Sequence, residues 1–244
     1  MTRPLVIAHR GASLLAPENT LSAFAKAKEL GADGVELDIH PTQDGVLVVT
    51  HDEHTHRLTG VHGRVNRMTL DTLKKLDFGS HFSSQFRGEK IPTLEEVFEL
   101  LKGRMWIDVE IKSLNIRDDG REKKLVELMR KWDMADQIEV SSFNIFALRR
   151  MAKLAPEIRR GYLFYEKQLG PSRRGGWAFY VKPYSFNISH ALLRNGMVKR
   201  IHERGYRCWV WTVNEENQMQ KLIEEGVDAI ITDDPKKLMD LLRQ

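Results

Sequence analysis

Short apolar runs alternate with longer amphipathic ones along this chain. LVIAH (5–9) is a compact apolar run, and NTLSAFAKAKELG (19–31) follows with Leu21, Phe24 and Ala25 on one face at helical spacing, stopping at Gly31. GVELDIH (34–40), MWIDVEIK (105–112), QIEVSSF (137–143), RRGYLF (159–164), YRCWVWTV (206–213) and VDAIITDDP (227–235) predict further strands, with AFYVKP (178–183) a weaker one between the fifth and the seventh. Helical patterns fall between them at TLEEVFELLKG (93–103), GREKKLVELMRKW (120–132), NIFALRRMAKLA (144–155), HALLRNGMVKRIHERG (190–205) and EENQMQKLIEEG (215–226). KKLMDLLRQ closes the chain.

Eight strands interleaved with helices over 244 residues predict an α/β fold, a (β/α)8 TIM barrel forming one domain over 1–244. A doubly wound open sheet is disfavoured, because no glycine-rich dinucleotide turn follows the first strand. Two connections are too long to be plain links: about 41–92 after the second strand, and 164–177 (FYEKQLGPSRRGGW) after the fifth. The first contains hairpin-like pieces, GVLVVTHD and GRVNRMT, and reads as a small insertion capping the barrel mouth.

The second strand carries the chemistry. Residues two apart in a strand share a face, so Val35, Leu37 and Ile39 point one way while Glu36, Asp38 and His40 point the other. Inward carboxylates are costly unless an ion or a partner charge compensates them. The last inward residues of barrel strands converge at the C-terminal mouth. His9 and Arg10 end the first strand there, Glu110 and Lys112 the third, and Trp211 and Asn214 the seventh, with His51 in the long loop. Convergent carboxylates without thiolates favour a hard cation, Mg2+ or Ca2+. Ion pairing of Glu36 and Asp38 with Lys112 and Arg10 accounts for the same residues without metal, and both readings stand on the pattern alone. His40 has the spacing to complete a ligand set, but a lone histidine at a strand end reads rather as structural. Asp108 sits deeper by strand parity and reads as a hydrogen-bonded core group. Phe143 and Lys182 are further mouth candidates.

Composition narrows this picture only a little. The chain is 41% hydrophobic and 30% charged, with a net charge of +4. Mild basicity suits an anionic substrate. The scattered Arg and Lys pairs and the lack of a recognised motif argue against nucleic acid. Cys208 is the lone cysteine, which excludes an internal disulfide and a cysteine-rich zinc site, and its apolar surroundings suggest an inert buried thiol. No leader pattern opens the chain and no apolar run approaches the roughly 18 residues of a membrane span, so a cytoplasmic protein is expected.

Taken in order, HRG, PENT, GADGVELDIHPTQDG, VVTHD, VEIK, VWTVN and GVDAIITDDP resemble the glycerophosphodiester phosphodiesterases over nearly the whole chain. The resemblance implies a metal-dependent enzyme that cleaves glycerophosphodiesters to sn-glycerol 3-phosphate and an alcohol, on a barrel with an insertion after the second strand. Position by position it implies that Glu36, Asp38 and Glu110 hold one divalent cation, Mg2+ or Ca2+, and that His9 and His51 form an acid–base pair. Arg10 and Lys112 would contact the phosphate. Beside these, Glu18 and Asn19 would support His9 or Arg10, Asn19 or Thr20 alternatively capping the helix, and Trp211 would wall the substrate or alternatively pack in the core. Gln43 replaces the family's usual lysine in its T-K-D-G turn, at none of these positions. The AFYVKP strand and the GPSRRGG loop match the family loosely.

Two rival classes are weaker. A metal-dependent lyase on the same fold would not need His9 and His51 beside the metal, and a phosphate-binding barrel without catalysis would not need the acid–base pair. Within the favoured class, a lysophospholipase D-like activity on single-chain lipids would call for an exposed apolar rim or an amphipathic surface helix. No strong one stands out. The outer helices are compatible with a homodimer.

Overall fold

The computed structural model describes residues 3–113, 116, 118–165 and 176–243. Its strands are β1 (Leu5–His9), β2 (Gly34–Pro41), β3 (Leu47–Val49), β4 (Trp106–Ile111), β5 (Ile138–Ser142), β6 (Arg159–Phe164), β7 (Ser185–Ser189), β8 (Arg207–Trp211) and β9 (Ala229–Thr232). All but β3 pair in parallel in the order β1-β9-β8-β7-β6-β5-β4-β2, and β2 pairs with β1 to close the barrel. The chain is therefore a (β/α)8 barrel, and β3 lies antiparallel on β2 outside the closed ring.

Both faces of each barrel strand are covered, which is why the strands read as near-continuous apolar runs. Outward residues such as Val35, Leu37, Ile39, Ile107 and Val109 pack under the helices in the main core. Those helices are α1 (Leu21–Glu29), α4 (Leu94–Leu101), α5 (Arg121–Trp132), α6 (Ile145–Leu154), α8 (Met197–His202), α9 (Glu216–Glu225) and α10 (Pro235–Leu241). Their starts follow the local sequence. Thr20, Asn144 and Asp234 each accept a backbone N–H at an N-terminus, and Thr93 with Glu96 forms a reciprocal capping box on α4.

The barrel interior divides in two. Ile7, Trp209, Ala229 and Ile231 make a small apolar cluster on the β1, β8 and β9 side. Opposite it, Asp108, Glu139, Ser141, Ser185 and Asn187 are buried together. Ser185 Oγ donates to Glu139 Oε1 at 2.7 Å, and Asn187 Nδ2 donates to Glu139 Oε1 at 3.1 Å and Asp108 Oδ2 at 3.3 Å. Gly161 leaves the room for this network, since a Cβ there would stand 2.5 Å from Glu139 Oε1 and 2.6 Å from Asn187 Nδ2. Asp108 is thus a core polar group, as its strand parity suggests.

The sixth strand is displaced from its expected place. AFYVKP forms the short helix α7 (Ala178–Val181), and the strand is SFNIS, residues 185–189. Ser185 and Asn187 face the polar interior and only Phe186 and Ile188 carry the apolar face, a shorter signal than the continuous run AFYV just before it. Lys182 consequently caps α7 at the strand's N-terminal end, away from the mouth, where Arg160 Nη2 donates to its carbonyl. The long helix expected over 190–205 shrinks to α8, because Gly196 at φ +71° separates it from a single turn at His190–Leu192. Most of the GPSRRGG loop lies outside the described residues.

Residues 41–92 hold α2 (His56–Thr59) and α3 (Leu70–Lys74) around a separate cluster of Val48, Leu58, Val65, Leu73, Phe78 and Ile91. GVLVV supplies β3, whereas the GRVNRMT piece is a helical turn at Val65–Arg67. Cys208 is fully buried, and burial pushes its thiol up to about 12. Among the described residues, no helix is long and apolar enough to cross a membrane.

Candidate active site

The strand register brings the charged residues together. His9 lies beside Glu36, Glu36 beside Asp108, and Asp38 beside Glu110 across the β1–β2 and β2–β4 pairings. Glu36, Asp38 and Glu110 each offer one oxygen within 4.8 Å of the other two, and all three residues are buried. Lys112 Nζ sits 3.1 Å from Asp38 Oδ1 and 2.8 Å from Glu110 Oε1. The ammonium bridges the two carboxylates, and each oxygen it touches keeps a further lone pair for a cation.

Arg10 completes the cationic side. It adopts a left-handed backbone at φ +56°, directly before Gly11 at φ +83°. Gly11 is required at that turn, because a Cβ would come within 2.7 Å of the Ala23 backbone. The turn aims the Arg10 N–H at Glu36 Oε2 (3.0 Å) and places the guanidinium 3.6 Å from Asp38 and 2.9 Å from Glu18. Asn19 Nδ2 donates to Asp38 Oδ2 at 2.8 Å, while its backbone N–H reaches the Arg10 carbonyl. The helix cap falls to Thr20.

Electrostatics separates the three carboxylates. Burial would raise Asp38, but Lys112, Arg10 and His51 hold its carboxyl well below the usual range. Burial and the neighbouring charges of Asp38 and Glu110 push Glu36 well up, and burial followed by Asp38 raises Glu110 against the pull of Lys112. Three buried carboxylates facing two cations leave negative charge to be compensated. An all-oxygen donor set with free lone pairs fits a hard divalent cation.

Each histidine is held by its own carboxylate. Asp233 Oδ1 lies 2.6 Å from His9 Nδ1, and Asn214 and Ser13 also donate to that carboxylate. Burial would raise Asp233, but these bonds and the His9 charge bring it to about 2. An ionised carboxylate can only accept, so Nδ1 carries the proton and Nε2, 3.9 Å from Glu36, faces the cavity. His51 Nδ1 lies 2.7 Å from Asp52 Oδ1 in the same way. Burial lowers His51, aided by Lys112 and Arg10. A chain of ion pairs continues from Asp52 to Arg57, to Glu18 and back to Arg10, joining the 41–92 segment to the loop after β1.

His9, Arg10, Glu36, His51, Glu110 and Lys112 all line one cavity of about 1020 Å3, and Phe143 and Trp211 wall it. Trp211 Nε1 donates to the Asn187 carbonyl, and its ring meets Phe143 edge-on at 5.7 Å. His40 stays outside this set and bonds the His51 carbonyl at 3.2 Å, a positioning contact for the loop. Asp233, Asp52 and Arg57 were not evident as site residues from the pattern. TDDP after the last strand and the Asp beside His51 in VTHD are the signals that could have found the two carboxylates.

Fold and site together define a barrel enzyme whose strand C-termini gather cations, carboxylates and two oriented histidines around space for an anionic ester. The sequence pattern of the Glycerophosphoryl diester phosphodiesterase family matches residues 9–237. A protein of Caldanaerobacter subterraneus named glycerophosphodiester phosphodiesterase is 41% identical over 99% of both chains. A phosphodiesterase from Oleispira antarctica, solved in complex with its product sn-glycerol-3-phosphate, superposes with a TM-score of 0.88 at 32% identity, covering 99% of this chain and 98% of its own. A human protein named lysophospholipase D is 27% identical over 97% of this chain and 85% of its own length. The chain belongs to the glycerophosphoryl diester phosphodiesterase family, and it is an enzyme of that class.

Proposed function

We propose that the chain hydrolyses glycerophosphodiesters to sn-glycerol 3-phosphate and an alcohol, using His9 and His51 as the acid–base pair beside a single divalent cation. The observation that carries this reading is the convergence of both histidines, each oriented by its own carboxylate, on the cavity that holds the acidic cluster. Glu36, Asp38 and Glu110 would hold Mg2+ or Ca2+, which when bound supplies positive charge against the non-bridging oxygens of the phosphodiester. Arg10 and Lys112 add fixed cationic donors for the same oxygens in a site partly closed to water. One imidazole takes a proton from the attacking hydroxyl and the other gives one to the departing alcohol, a task suited to side chains that titrate near neutrality. Glu18 and Asn19 position Arg10 and Asp38. Residues 41–92 act as a capping insertion, since they deliver His51 and anchor Arg57 to Glu18.

The test is release of glycerol 3-phosphate from glycerophosphocholine and glycerophosphoethanolamine by chelator-stripped protein, with Mg2+ or Ca2+ restored. Turnover should return with the ion and be absent in Glu36→Ala. His9→Ala and His51→Ala should bind the ion normally and lose turnover. Near-normal activity in either histidine variant sinks the assignment.

A further inference from the structure

One side chain outside the cavity ties together two parts of its charged lining. Arg57 is the second residue of the short helix α2, and the next residue, Leu58, is buried in the separate cluster of the 41–92 segment. That apolar anchor fixes the helix, and the guanidinium beside it reaches across to the loop after β1. Its Nε donates to Asp52 Oδ2, while Nη1 and Nη2 donate to Glu18 Oε2 at 2.9 Å and to Glu18 Oε1 at 2.7 Å. The other oxygen of Asp52 holds His51 Nδ1 at 2.7 Å, and Glu18 Oε1 also accepts from Arg10 Nη1 at 2.9 Å. One planar fork thus braces the support of His51 and the support of Arg10.

Both carboxylates depend on that brace. Among the described residues, the side chains bonded to Asp52 are His51 and Arg57, and those bonded to Glu18 are Arg10 and Arg57. Without Arg57 each carboxylate would be tied only to the residue it has to orient, and would turn with it. Burial would raise Glu18, but the bonds from Arg57 and the charge of Arg10 keep its carboxyl low. Burial would raise Asp52 as well, against the bonds from Arg57 and His51. Arg57, Asp52 and Glu18 are not among the residues that line the cavity, so Arg57 acts on the site through the other two.

We propose that Arg57 is a positioning residue for the hydrolysis, aligning His51 through Asp52 and Arg10 through Glu18 at the same time. This rests on the phosphodiesterase reading above and deepens it. Because both arms leave one rigid guanidinium, the histidine that moves a proton and the arginine that meets the phosphate keep a fixed relative geometry. A misplacement of about 1 Å in such an arrangement can cost about 100-fold in rate. The Arg57 side chain is 47% exposed, and ion pairs at that exposure add little to stability, so its use lies in alignment rather than in holding the fold.

The test is turnover of glycerophosphocholine and glycerophosphoethanolamine, with Mg2+ or Ca2+, by the parent protein, Arg57→Ala and Arg57→Lys. Arg57→Ala should lose about 10–100-fold in kcat/KM, as outer partners of site residues commonly do, while its urea unfolding curve stays close to that of the parent. Guanidinium chloride at a non-denaturing concentration should enter the half-exposed place of the lost side chain and restore most of that activity. Sodium chloride at equal ionic strength should not. Arg57→Lys keeps the charge without the fork and should stay near Arg57→Ala. Parent-like activity in Arg57→Ala, full recovery by lysine, or a loss that guanidinium leaves unrestored each overturns the positioning role and leaves the phosphodiesterase reading intact. A parent protein that turns over neither substrate with either ion overturns both.

Discussion

Glu139 should make this protein lose stability as the pH rises from about 4.5 to about 7. Its side chain is fully buried in the barrel. Burial raises its carboxyl from 4.5 to about 7, only partly opposed by the hydrogen bonds from Ser185 and Asn187 and by the Arg159 charge. Asp108, joined to it through Asn187, is also pushed well up by burial and by the Glu139 charge. A carboxyl whose folded pKa lies above its unfolded one binds its proton more tightly when folded. The stability it contributes is present below about pH 4.5, fades as the pH climbs through about 7, and is then flat. At about 1.4 kcal/mol per pH unit, the window between 4.5 and about 7 amounts to about 3 kcal/mol.

Glu139→Gln removes the titration and keeps an oxygen for Ser185 and Asn187. Its new amide takes the place of Oε2, which has no partner, so a buried donor left unsatisfied costs about 1–3 kcal/mol at every pH. Absolute stability at one pH is therefore a poor readout, and the slope is a good one. Unfolding free energies from urea titrations at half-unit steps from pH 4.5 to 8.5 should fall steeply in the parent and by about 3 kcal/mol less in the variant. Groups remote from Glu139 act on both proteins equally and cancel, whereas Asp108 senses the Glu139 charge and its change belongs to the measured difference. Parallel pH profiles would refute the reasoning, because Glu139 would then titrate alike folded and unfolded.

Two further substitutions probe neighbouring logic. Asp233→Asn lets the amide donate to His9 Nδ1 and moves the ring proton to Nε2; kcat should fall about 100-fold or more while ion affinity, followed by calorimetry, stays unchanged. Gly161→Ala drives a methyl into Glu139 and Asn187 and should cost about 1–3 kcal/mol in urea unfolding, more than an alanine on the solvent side of α9.

The barrel was legible because its outward strand positions are apolar and its helices announce their ends, as Thr93 with Glu96 does for α4. β7 was not, and the reason is physical. Hydrophobic patterning detects a strand by the environment its side chains prefer, and Ser185 and Asn187 satisfy an interior made polar by Asp108 and Glu139. Its alternation is reduced to two apolar residues, Phe186 and Ile188. A longer continuous apolar run stands at AFYVKP, where Val181 alone is buried in a short helix.

The candidate site divides along the same line. Glu36, Asp38, Glu110, His9 and Lys112 were legible because strand parity sends them inward, and the β1–β2 and β2–β4 registers set His9 beside Glu36 and Asp38 beside Glu110. Asp233 acts on His9 from the turn after β9, and Arg57 acts on Glu18 from α2, so no periodicity relates them to their partners. The apolar side of the cavity escaped for a stronger reason. Phe143, Leu163, Trp177 and Trp211 come from different strands and connections. An amphipathic surface helix writes its apolar face into one segment, whereas a barrel mouth assembles its face from the ends of many. A barrel mouth can thus carry an apolar wall that no window of its sequence displays, lining the same cavity as the histidines.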